Sequence, residues 1–320
     1  MVPILQGDLR EQAPGALRPP VPASWHGSVQ ACAVVASGPG RRCEQAGLIA
    51  GAACVAGSAM LACSVIEESD MSEWKARTAV ITGGGRGFGK AFGTALADAG
   101  AHAVLVDIDE TVAMAAAAEI RAAGGAADGI GGDVTDEVRM AEVMAQAAGM
   151  HGGIDLLVNN AGLHSDEYGQ PITKLGLAKT RRLFDVNVMG VVCCTLAALP
   201  HMKGREGASI VNIASSAAHM GGSPYGDSKL AVAGLTITFA RELGREGIRV
   251  NAISPGLMLT ETIARELPEA TKARVKAMQM IDADGHEEDI VEALLYLASR
   301  KARFVTGETL RVTGGMAAGV

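Results

Sequence analysis

The sequence predicts an α/β fold: a doubly wound parallel sheet of Rossmann type, formed by a single domain. From Thr78 onward, short β-branched and aliphatic runs alternate with longer alanine-rich segments, as strands and helices do in such sheets. Several of these runs lack polar alternation, as expected of strands that are buried on both faces. No internal repeat or long linker interrupts the pattern, so one domain is expected.

The individual elements follow from these runs and from the helical periodicity between them. Strands are predicted at residues 78–82, 102–107, 127–133, 154–159, 209–214, 248–253 and 309–312. Helices are predicted at residues 88–99, 110–123, 136–148, 175–202, 225–243 and 287–299. Gly100 and Gly124 directly follow the first two helices, where a helix C-terminus favours glycine.

Residues 1–70 differ from the rest in composition, with four prolines between residues 14 and 22 and little periodicity. We interpret them as an N-terminal appendage, either disordered or translated leader sequence. Residues 71–320 form the predicted domain, and Met71 is a natural start for it. Residues 46–66 carry no charge and are long enough to span a bilayer. Ala, Gly, Ser and Cys dominate that stretch and give little transfer free energy, so no membrane association is expected.

Composition restricts the classes of partner. The chain has 320 residues, 48% of them hydrophobic, and a formal net charge of −7. No basic surface is available to neutralise a phosphate backbone, which argues against a nucleic-acid partner and favours a small metabolite. The six cysteines show no C-x-x-C spacing, so neither a disulfide framework nor a metal site is indicated, and a cytoplasmic location is expected.

A glycine-rich turn follows the first predicted strand and reads T-G-G-G-R-G-F-G from Thr82 to Gly89. Its spacing is T-G-x-x-x-G-x-G, so the general G-x-G-x-x-G fingerprint is not met literally. Backbone N–H groups and a helix N-terminus in such a turn face a pyrophosphate without an intervening Cβ. The turn alone is equally typical of a flexible loop, but the flanking strand and helix favour a dinucleotide site.

Asp107 ends the second predicted strand, 18 residues beyond Gly89. A carboxylate at this position accepts the ribose hydroxyls of NAD and repels a 2′-phosphate, so NAD is favoured over NADP. Arg86, inside the glycine-rich turn, is an alternative phosphate contact that keeps NADP open. An ordinary strand-end carboxylate is the other interpretation of Asp107.

The chain resembles the short-chain dehydrogenase/reductase family over residues 77–315. The resemblance rests on an ordered set of motifs: Thr82-Gly83 to Gly89, Asp133-Val134, N-N-A-G at 159–162, Asn187, Ser215-Ser216, Tyr225-x-x-x-Lys229, Pro255-Gly256 with Thr260, Gly307 and Gly314-Gly315. One such motif arises by chance, whereas the ordered set is typical of the family. Thr313 stands where the family commonly has an aspartate.

Tyr225 and Lys229 are four residues apart on a predicted helix, so their side chains share a face. A nearby ammonium, together with an oxidised nicotinamide, favours the phenolate and lowers a pKa that is ordinarily about 10. Tyr225 then exchanges a proton with a substrate hydroxyl or carbonyl while hydride moves to or from the nicotinamide. In most proteins, taken alone, such a pair lies on the surface; the other motifs favour catalysis.

The resemblance also implies roles for further residues. Asn187, Ser216, Tyr225 and Lys229 are the expected catalytic residues, with Ser216 preferred over Ser215 as the donor to the substrate oxygen. Asn187 holds a water chain that leads to Lys229, although a buried asparagine bonded to local backbone is compatible with that role. The expected cofactor-binding residues are Gly83, Arg86, Gly87, Phe88, Gly89, Asp107, Asp133, Val134, Asn160, Gly162, Tyr225, Lys229, Pro255, Gly256 and Thr260.

Within that set, Gly87 and Phe88 are expected at the pyrophosphate, and Asp133 and Val134 at the adenine. Asn160 and Gly162 are expected beside the adenine region, Lys229 at the nicotinamide ribose, and Pro255, Gly256 and Thr260 at the nicotinamide end.

Two segments beside the expected substrate pocket depart from the family in length. The interval from Ser216 to Tyr225 is shorter than usual, and the interval from Gly162 to Asn187 is longer. The side chains that these segments bring toward a substrate are His164, Asp166, Glu167, Tyr168 and His219. Each one, taken singly, is more often an ordinary solvated loop residue.

The resulting hypothesis is an NAD(H)-dependent oxidoreductase that interconverts a secondary alcohol and a ketone without a metal. Predicted helices 175–202 and 225–243 are apolar on more than one face, and in the family these helices pair subunits, so a homodimer or homotetramer is expected. The alternatives are an NAD-dependent dehydratase or epimerase of the same fold, a non-catalytic NAD-binding regulatory protein, and a membrane-anchored structural protein, which rests on residues 46–66 alone. Loss of Tyr225 or Lys229 would mark the regulatory protein, and both residues are present.

Overall fold

Seven parallel strands form one sheet in the order β3-β2-β1-β4-β5-β6-β7. The structure is a computed structural model, and it describes residues 73–164, 167–259 and 269–316. The strands are β1 (Thr78–Thr82), β2 (His102–Asp107), β3 (Ala126–Gly131), β4 (Leu156–Asn159), β5 (Ser209–Ile213), β6 (Arg249–Pro255) and β7 (Thr309–Val312). The expected doubly wound parallel sheet of Rossmann type is therefore confirmed.

Helices connect the strands on both faces of the sheet. They are α1 (Gly87–Asp98), α2 (Glu110–Ala122), α3 (Glu137–His151), α4 (Ile172–Leu175), α5 (Leu177–Phe184), α6 (Gly190–Met202), α7 (Pro224–Leu243), α8 (Glu269–Lys276) and α9 (Glu287–Ala298). A π-helix, Asp185–Met189, joins α5 to α6, and a 3₁₀ turn, Ser216–His219, follows β5.

Two apolar cores hold these layers together. On one face, Phe92 and Leu96 of α1 and Leu294 of α9 pack against the sheet. On the other face, Met140 of α3 and Phe239 of α7 do the same. Because both faces are covered, β1, β4 and β5 are buried along their whole length, which explains why their sequences lack polar alternation.

The chain reverses its direction of winding at β1, which lies between β2 and β4. The connections after β1 and β2 lead toward β3 at one edge of the sheet. The connections after β4, β5 and β6 lead toward β7 at the other edge. In open α/β sheets a crevice forms at this point beyond the carboxyl ends of the strands, and ligands bind there. The glycine-rich turn after β1 and the segment after β4 meet at this crevice.

The strand and helix predictions agree with the structure at most ends. Gly100 and Gly124 have φ values of 101° and 97°, so they occupy the left-handed positions expected after α1 and α2. The predicted helix 175–202 is wrong as a single element, because Gly176 at φ 79° separates α4 from α5 and a π-helix interrupts the rest. The third predicted strand, 127–133, ends earlier, at Gly131, because Asp133 starts a turn closed by Thr135. Helix α8 had no counterpart among the predictions.

Some sequence expectations lie outside the described residues: the appendage at 1–70 with its apolar stretch 46–66, Asp166, and Thr260. Within the described ranges, Leu177–Met202 is the one helical stretch long and apolar enough to cross a bilayer by length and composition. Its residues Cys194, Ala198 and Met202 pack in the core on one face of the sheet, which is the environment of a core helix.

Candidate active site

The glycine-rich turn is built so that its backbone folds tightly over β1. A Cβ at Gly89 would lie 2.0 Å from the carbonyl oxygen of Gly83, and a Cβ at Gly84 would lie 2.9 Å from Leu105. Neither position accepts a side chain without moving backbone. Gly83 has φ 61°, a region that side chains other than glycine rarely adopt. The turn therefore brings backbone close enough for a pyrophosphate to approach N–H groups directly.

The N-terminus of α1 is open toward this approach. Arg86 is the N-cap residue, and its side chain makes no capping hydrogen bond. Gly87 is exposed, and a Cβ built on it meets nothing within 4 Å. Uncapped N–H groups and the positive end of a helix dipole attract an anion. The residues present thus fit the pyrophosphate of a dinucleotide, with Arg86 and the half-buried Phe88 at its edge.

Asp107 lies at the carboxyl end of β2 and is buried. Its Oδ2 accepts a hydrogen bond from the N–H of Gly85 at 3.1 Å, and its Oδ1 accepts one from the N–H of Asp109 at 3.2 Å. These bonds fix the carboxylate against the glycine-rich turn and leave lone pairs on both oxygens. The carboxylate is therefore held at the crevice with the capacity to accept further hydrogen bonds.

Asn160, after β4, ties the two sides of the crevice together. Its Nδ2 donates to the carbonyl oxygens of Thr82 at 3.0 Å and Gly83 at 3.1 Å, and its N–H donates to Thr82 Oγ1 at 3.0 Å. Thr82 Oγ1 also accepts the N–H of Ala161 at 3.1 Å. Asn160 thus supports the shape of the turn, with no direct role toward a ligand required.

Asp133 and Val134 follow the carboxyl end of β3. Asp133 Oδ1 accepts hydrogen bonds from the N–H and Oγ1 of Thr135, and Arg182 lies 3.8 Å from its Oδ2. Burial raises the pKa of Asp133, but the bonds from Thr135 and the charge of Arg182 outweigh it, so the net pKa is lowered. Val134 is buried against Gly190.

Tyr225 is the second residue of α7, directly after Pro224 at the first helical position. Ser223 caps this helix by accepting the N–H of Gly226 at 3.2 Å. Ser215 lies close enough to the phenol to act on its pKa as a hydrogen-bonding neighbour. Burial raises the pKa of Tyr225, and the bond with Ser215 offsets this only in part. The protein groups alone therefore do not produce the lowered pKa expected from the sequence.

Ser215, rather than Ser216, is the serine that contacts the phenol. Ser215 is the N-cap of the 3₁₀ turn, and its hydroxyl accepts the N–H of Ala217 at 3.2 Å. Ser216 is the first residue of the turn and is buried. Ser215 both caps the 3₁₀ turn and lies beside the phenol, which favours it over Ser216 as the catalytic serine; the choice between the two stays a prediction.

Lys229 lies one turn beyond Tyr225 and is buried, with 5% of its surface exposed. Its Nζ donates to the carbonyl oxygen of Ile213 at 2.7 Å and lies 6.0 Å from the centroid of the Tyr225 ring. Burial lowers the pKa of Lys229 to about 8. The ammonium therefore lies beneath the tyrosine ring as expected, at the outer limit of a cation–π contact.

Asn187 lies in the π-helix, and it is buried. Its Oδ1 accepts the N–H of Leu163 at 2.8 Å, while its Nδ2 donates to the carbonyl oxygen of Leu163 at 3.1 Å and to Ser228 Oγ at 3.1 Å. Ser228 Oγ in turn donates to the carbonyl oxygen of Tyr225 at 2.7 Å. Asn187 therefore joins the segment after β4 to the helix that carries Tyr225.

Gly162 completes the contact between the two halves of the site. A Cβ at this position would lie 3.2 Å from Asn187 Oδ1 and 3.4 Å from Lys229 Nζ. A Cβ at Gly83 would likewise lie 3.0 Å from Cα of Ala161. The chain from residue 160 to 162 therefore connects the glycine-rich turn with the lysine. The expected cofactor and catalytic residues of these segments are thus brought together at one edge of the sheet.

Pro255 and Gly256 lie at the end of β6, where the N–H of Gly256 donates to the carbonyl oxygen of Val312 at 2.8 Å.

Among the loop candidates, Glu167 is paired with Lys179. The pKa of His219 is lowered by burial and by the charge of Arg311. Of these side chains, His219 is the nearest in sequence to Ser215.

Sequence reasoning missed Ser228 and Thr82 as supporting residues. The role of Ser228 can be inferred from the sequence, because Ser228 lies between Tyr225 and Lys229 and a serine in a helix bonds back to a carbonyl three residues earlier. Thr82 belongs to the glycine-rich turn motif, but its bonds to the segment after β4 join residues 78 and 79 positions apart. No local pattern predicts such a contact.

The fold and this arrangement define a dinucleotide-binding enzyme of the Rossmann type. A family model described as enoyl-(acyl carrier protein) reductase matches residues 83–317. Cis-4-hydroxycyclohexanecarboxylate dehydrogenase from Sinomonas cyclohexanicum is 38% identical over 245 residues, which are 76% of this chain and 97% of that protein. For 2-(S)-hydroxypropyl-CoM dehydrogenase 3 from Xanthobacter autotrophicus the identity is 36%, with 74% and 95% coverage. The chain belongs to the short-chain dehydrogenase/reductase family.

Solved structures of similar fold include one with cofactor. A putative D-mannonate oxidoreductase from Haemophilus influenza, with bound NAD, has a TM-score of 0.74 and 25% identity, covering 80% of this chain and 99% of that one. A putative short-chain alcohol dehydrogenase from Sinorhizobium meliloti 1021 has a TM-score of 0.72 and 32% identity, with 78% and 100% coverage.

Proposed function

We propose that this protein is an NAD(H)-dependent dehydrogenase that interconverts a secondary alcohol and a ketone, with Tyr225 as the general acid and base. The observation that carries the proposal is the grouping of Tyr225, Ser215 and Lys229 at the edge of the sheet where the glycine-rich turn and Asp107 lie. Two named relatives are dehydrogenases of hydroxy compounds, which supports the same reaction class.

Bound NAD supplies the hydride acceptor, or NADH the donor, and its oxidised ring adds positive charge to the site. Tyr225 removes the proton from the substrate hydroxyl as the carbonyl forms. Burial raises the pKa of this phenol, so nearby positive charge has to stabilise the phenolate. Lys229 provides part of that charge from beneath the ring.

We assign the donor to the substrate oxygen to Ser215, in place of Ser216. Ser215 shares a hydrogen bond with Tyr225, so an oxygen placed between the two hydroxyls is within reach of both. A donor aimed at an oxygen that gains charge stabilises the transition state. Asn187 holds the segment at Leu163 and helix α7 in register, and this keeps the pocket in shape while protons move.

For the cofactor we retain the expected residues as a proposal. Gly83, Arg86, Gly87, Phe88 and Gly89 surround the pyrophosphate, and Asp107 accepts the ribose hydroxyls of NAD and repels the 2′-phosphate of NADP. Asp133 and Val134 flank the adenine, Asn160 and Gly162 the region beside it, and Pro255, Gly256 and Thr260 the nicotinamide end. Thr260 lies outside the described residues.

We propose a homodimer or homotetramer that works in the cytoplasm, binds neither nucleic acid nor membrane, and uses residues 71–320 as its working domain. Exposed apolar side chains support assembly through the two long helical segments: Met189 and Leu196 on one, Leu230 and Ile237 on the other. Light scattering at micromolar concentration should show a dimer or larger species. Leu196→Lys should weaken it, whereas Met114→Lys, a matched change on α2, should not; a wild-type monomer would contradict the proposal.

The test of function is NADH formation across a panel of secondary alcohols, hydroxy acids, sterols, sugars and diols. At least one alcohol should give a ketone with equimolar NADH, and the ketone should be reduced in the reverse direction. An α,β-unsaturated thioester belongs in the panel, because the matching family model is described as a reductase of enoyl substrates. Turnover of that compound alone would replace the proposal with alkene reduction. Water loss or epimerisation without net NADH would indicate a dehydratase or epimerase.

A further inference from the structure

Three side chains with metal-ligating atoms meet near the amino ends of β2 and β3. Tyr225 lies at the opposite, carboxyl end of the sheet. His102 is the first residue of β2, Asp128 lies in β3, and His151 is the last residue of α3. Each offers one ligand atom, and the three atoms lie within 4.8 Å of one another. His102 Nε2 lies 2.7 Å from Asp128 Oδ2, and the two imidazole rings are 3.7 Å apart between centroids, tilted by 31°.

A second observation concerns His151, which lies beside the hydrogen-bonded pair His102 and Asp128. Nε2 of His151 is buried and has no hydrogen-bond partner among the described residues. A buried nitrogen without a partner is unusual in folded proteins, and here it belongs to the group that holds the carboxylate.

We propose that His102, Asp128 and His151 bind one divalent transition-metal ion, with Zn²⁺ as the best match. Two imidazole nitrogens and one carboxylate oxygen are a ligand set that Zn²⁺ takes in proteins, with a water molecule as the fourth ligand. Side chains of His102 and Asp128 are 22% and 40% exposed, which leaves a path for the ion and room for water. Mg²⁺ and Ca²⁺ prefer oxygen ligands and fit this set poorly.

Binding requires small side-chain movements. Donors about 2.0–2.1 Å from a tetrahedral Zn²⁺ lie about 3.4 Å apart, between the 2.7 Å of the histidine–aspartate contact and the 4.8 Å limit of the group. Zn²⁺ replaces the hydrogen bond between His102 and Asp128, and each imidazole keeps its proton on the nitrogen that does not bind. The ligand atoms reach a common distance from the ion when the two rings, now 3.7 Å apart between centroids, rotate so that one nitrogen of each points at it.

The site lies away from the chemistry. β2 runs from His102 to Asp107, so the proposed metal and the ribose-binding carboxylate are at opposite ends of one strand, about 16 Å apart at the rise of a parallel strand. The ion therefore joins β2, β3 and the end of α3, and it acts on stability. The sequence indicated no metal site because the three ligands are separated by 26 and 23 positions, and only the fold brings them together.

The test is titration of the full chain with ZnCl₂ by calorimetry, under reducing conditions, with wild type and variants in parallel. The four cysteines among residues 1–70 are additional potential ligands for Zn²⁺, so the readout is the difference between chains. His151→Gln and, separately, Asp128→Asn should each remove one equivalent of binding or weaken it at least tenfold. His201→Gln, which changes a histidine outside the group, should leave that equivalent intact.

Thermal unfolding provides the second measurement. Zn²⁺ should raise the midpoint of the wild type and of His201→Gln, and the rise should be smaller in His151→Gln. Equal stoichiometry and affinity in wild type and both ligand variants would overturn the proposal. So would a Zn²⁺-dependent rise in midpoint that is the same in all four chains, because the ion would then be acting at the cysteines.

Discussion

Lys229→Met removes a buried charge, which lowers the free energy of unfolding of the wild type. Lys229 is buried, and burial lowers its pKa from 10.5 to about 8. A shift of this size, at about 1.4 kcal/mol per pH unit, corresponds to about 3 kcal/mol of lost stability when the side chain is charged. Methionine has a similar length and no charge, so the variant avoids this cost while losing the bond to Ile213, worth about 1 kcal/mol.

The sign of the pH dependence follows from proton binding. Between pH 8 and 10.5 the unfolded chain holds a proton on Lys229 that the folded chain has released. The free energy of unfolding of the wild type therefore rises through this window relative to the variant. Lys229→Met should be the more stable chain near pH 7, and its advantage should shrink by about 3 kcal/mol as the pH approaches 10.5.

Urea unfolding of both chains at pH 7, 8.5 and 10, without cofactor, measures the difference. Lys75→Met, which changes an exposed lysine, is the control and should follow the wild type at every pH. A difference between wild type and Lys229→Met that does not change with pH would refute the reasoning. Alcohol-dependent NADH formation should be lost in Lys229→Met whatever the stability of the variant, because the charge beneath Tyr225 is gone.

Three further predictions concern the cofactor, the serine pair and the appendage. The wild type should bind NAD more tightly than NADP by fluorescence titration, and Asp107→Asn, which keeps an oxygen for the N–H of Gly85, should reduce that preference; tenfold tighter NADP binding by the wild type would give Arg86 the dominant role. Ser215→Ala should lower kcat by roughly 10²- to 10³-fold and Ser216→Ala by less than tenfold; the reverse order would restore Ser216. A chain that starts at Met71 should keep full activity by NADH assay, and loss of NAD binding in it would place residues 1–70 in the working domain.

Much of the fold followed from local patterns. Buried parallel strands have continuous apolar runs, so β1 and β2 were predicted at both ends. Gly100 and Gly124 identified the ends of two helices, because a left-handed residue is needed there. The interval between Tyr225 and Lys229 placed both side chains on one helical face, and this local spacing persists in the structure.

The features that the sequence did not predict depend on contacts between distant segments. The π-helix places Asn187 between Leu163 and Ser228, residues on different segments. The choice between Ser215 and Ser216 depends on where a short 3₁₀ turn begins, and a shift of one residue exchanges the two side chains. The pKa of Tyr225 depends on burial, which the motif does not encode.

The proposed reaction depends on proton transfer by Tyr225, and Tyr225→Phe tests this step most directly. Phenylalanine keeps the ring and its packing but removes the hydroxyl that bonds with Ser215. On an alcohol identified in the panel, kcat should fall by roughly 10²- to 10⁴-fold, the usual contribution of general acid–base catalysis. NAD affinity should stay within a few-fold of the wild type, and far-ultraviolet circular dichroism should be unchanged. Wild-type turnover by Tyr225→Phe would contradict the assigned mechanism.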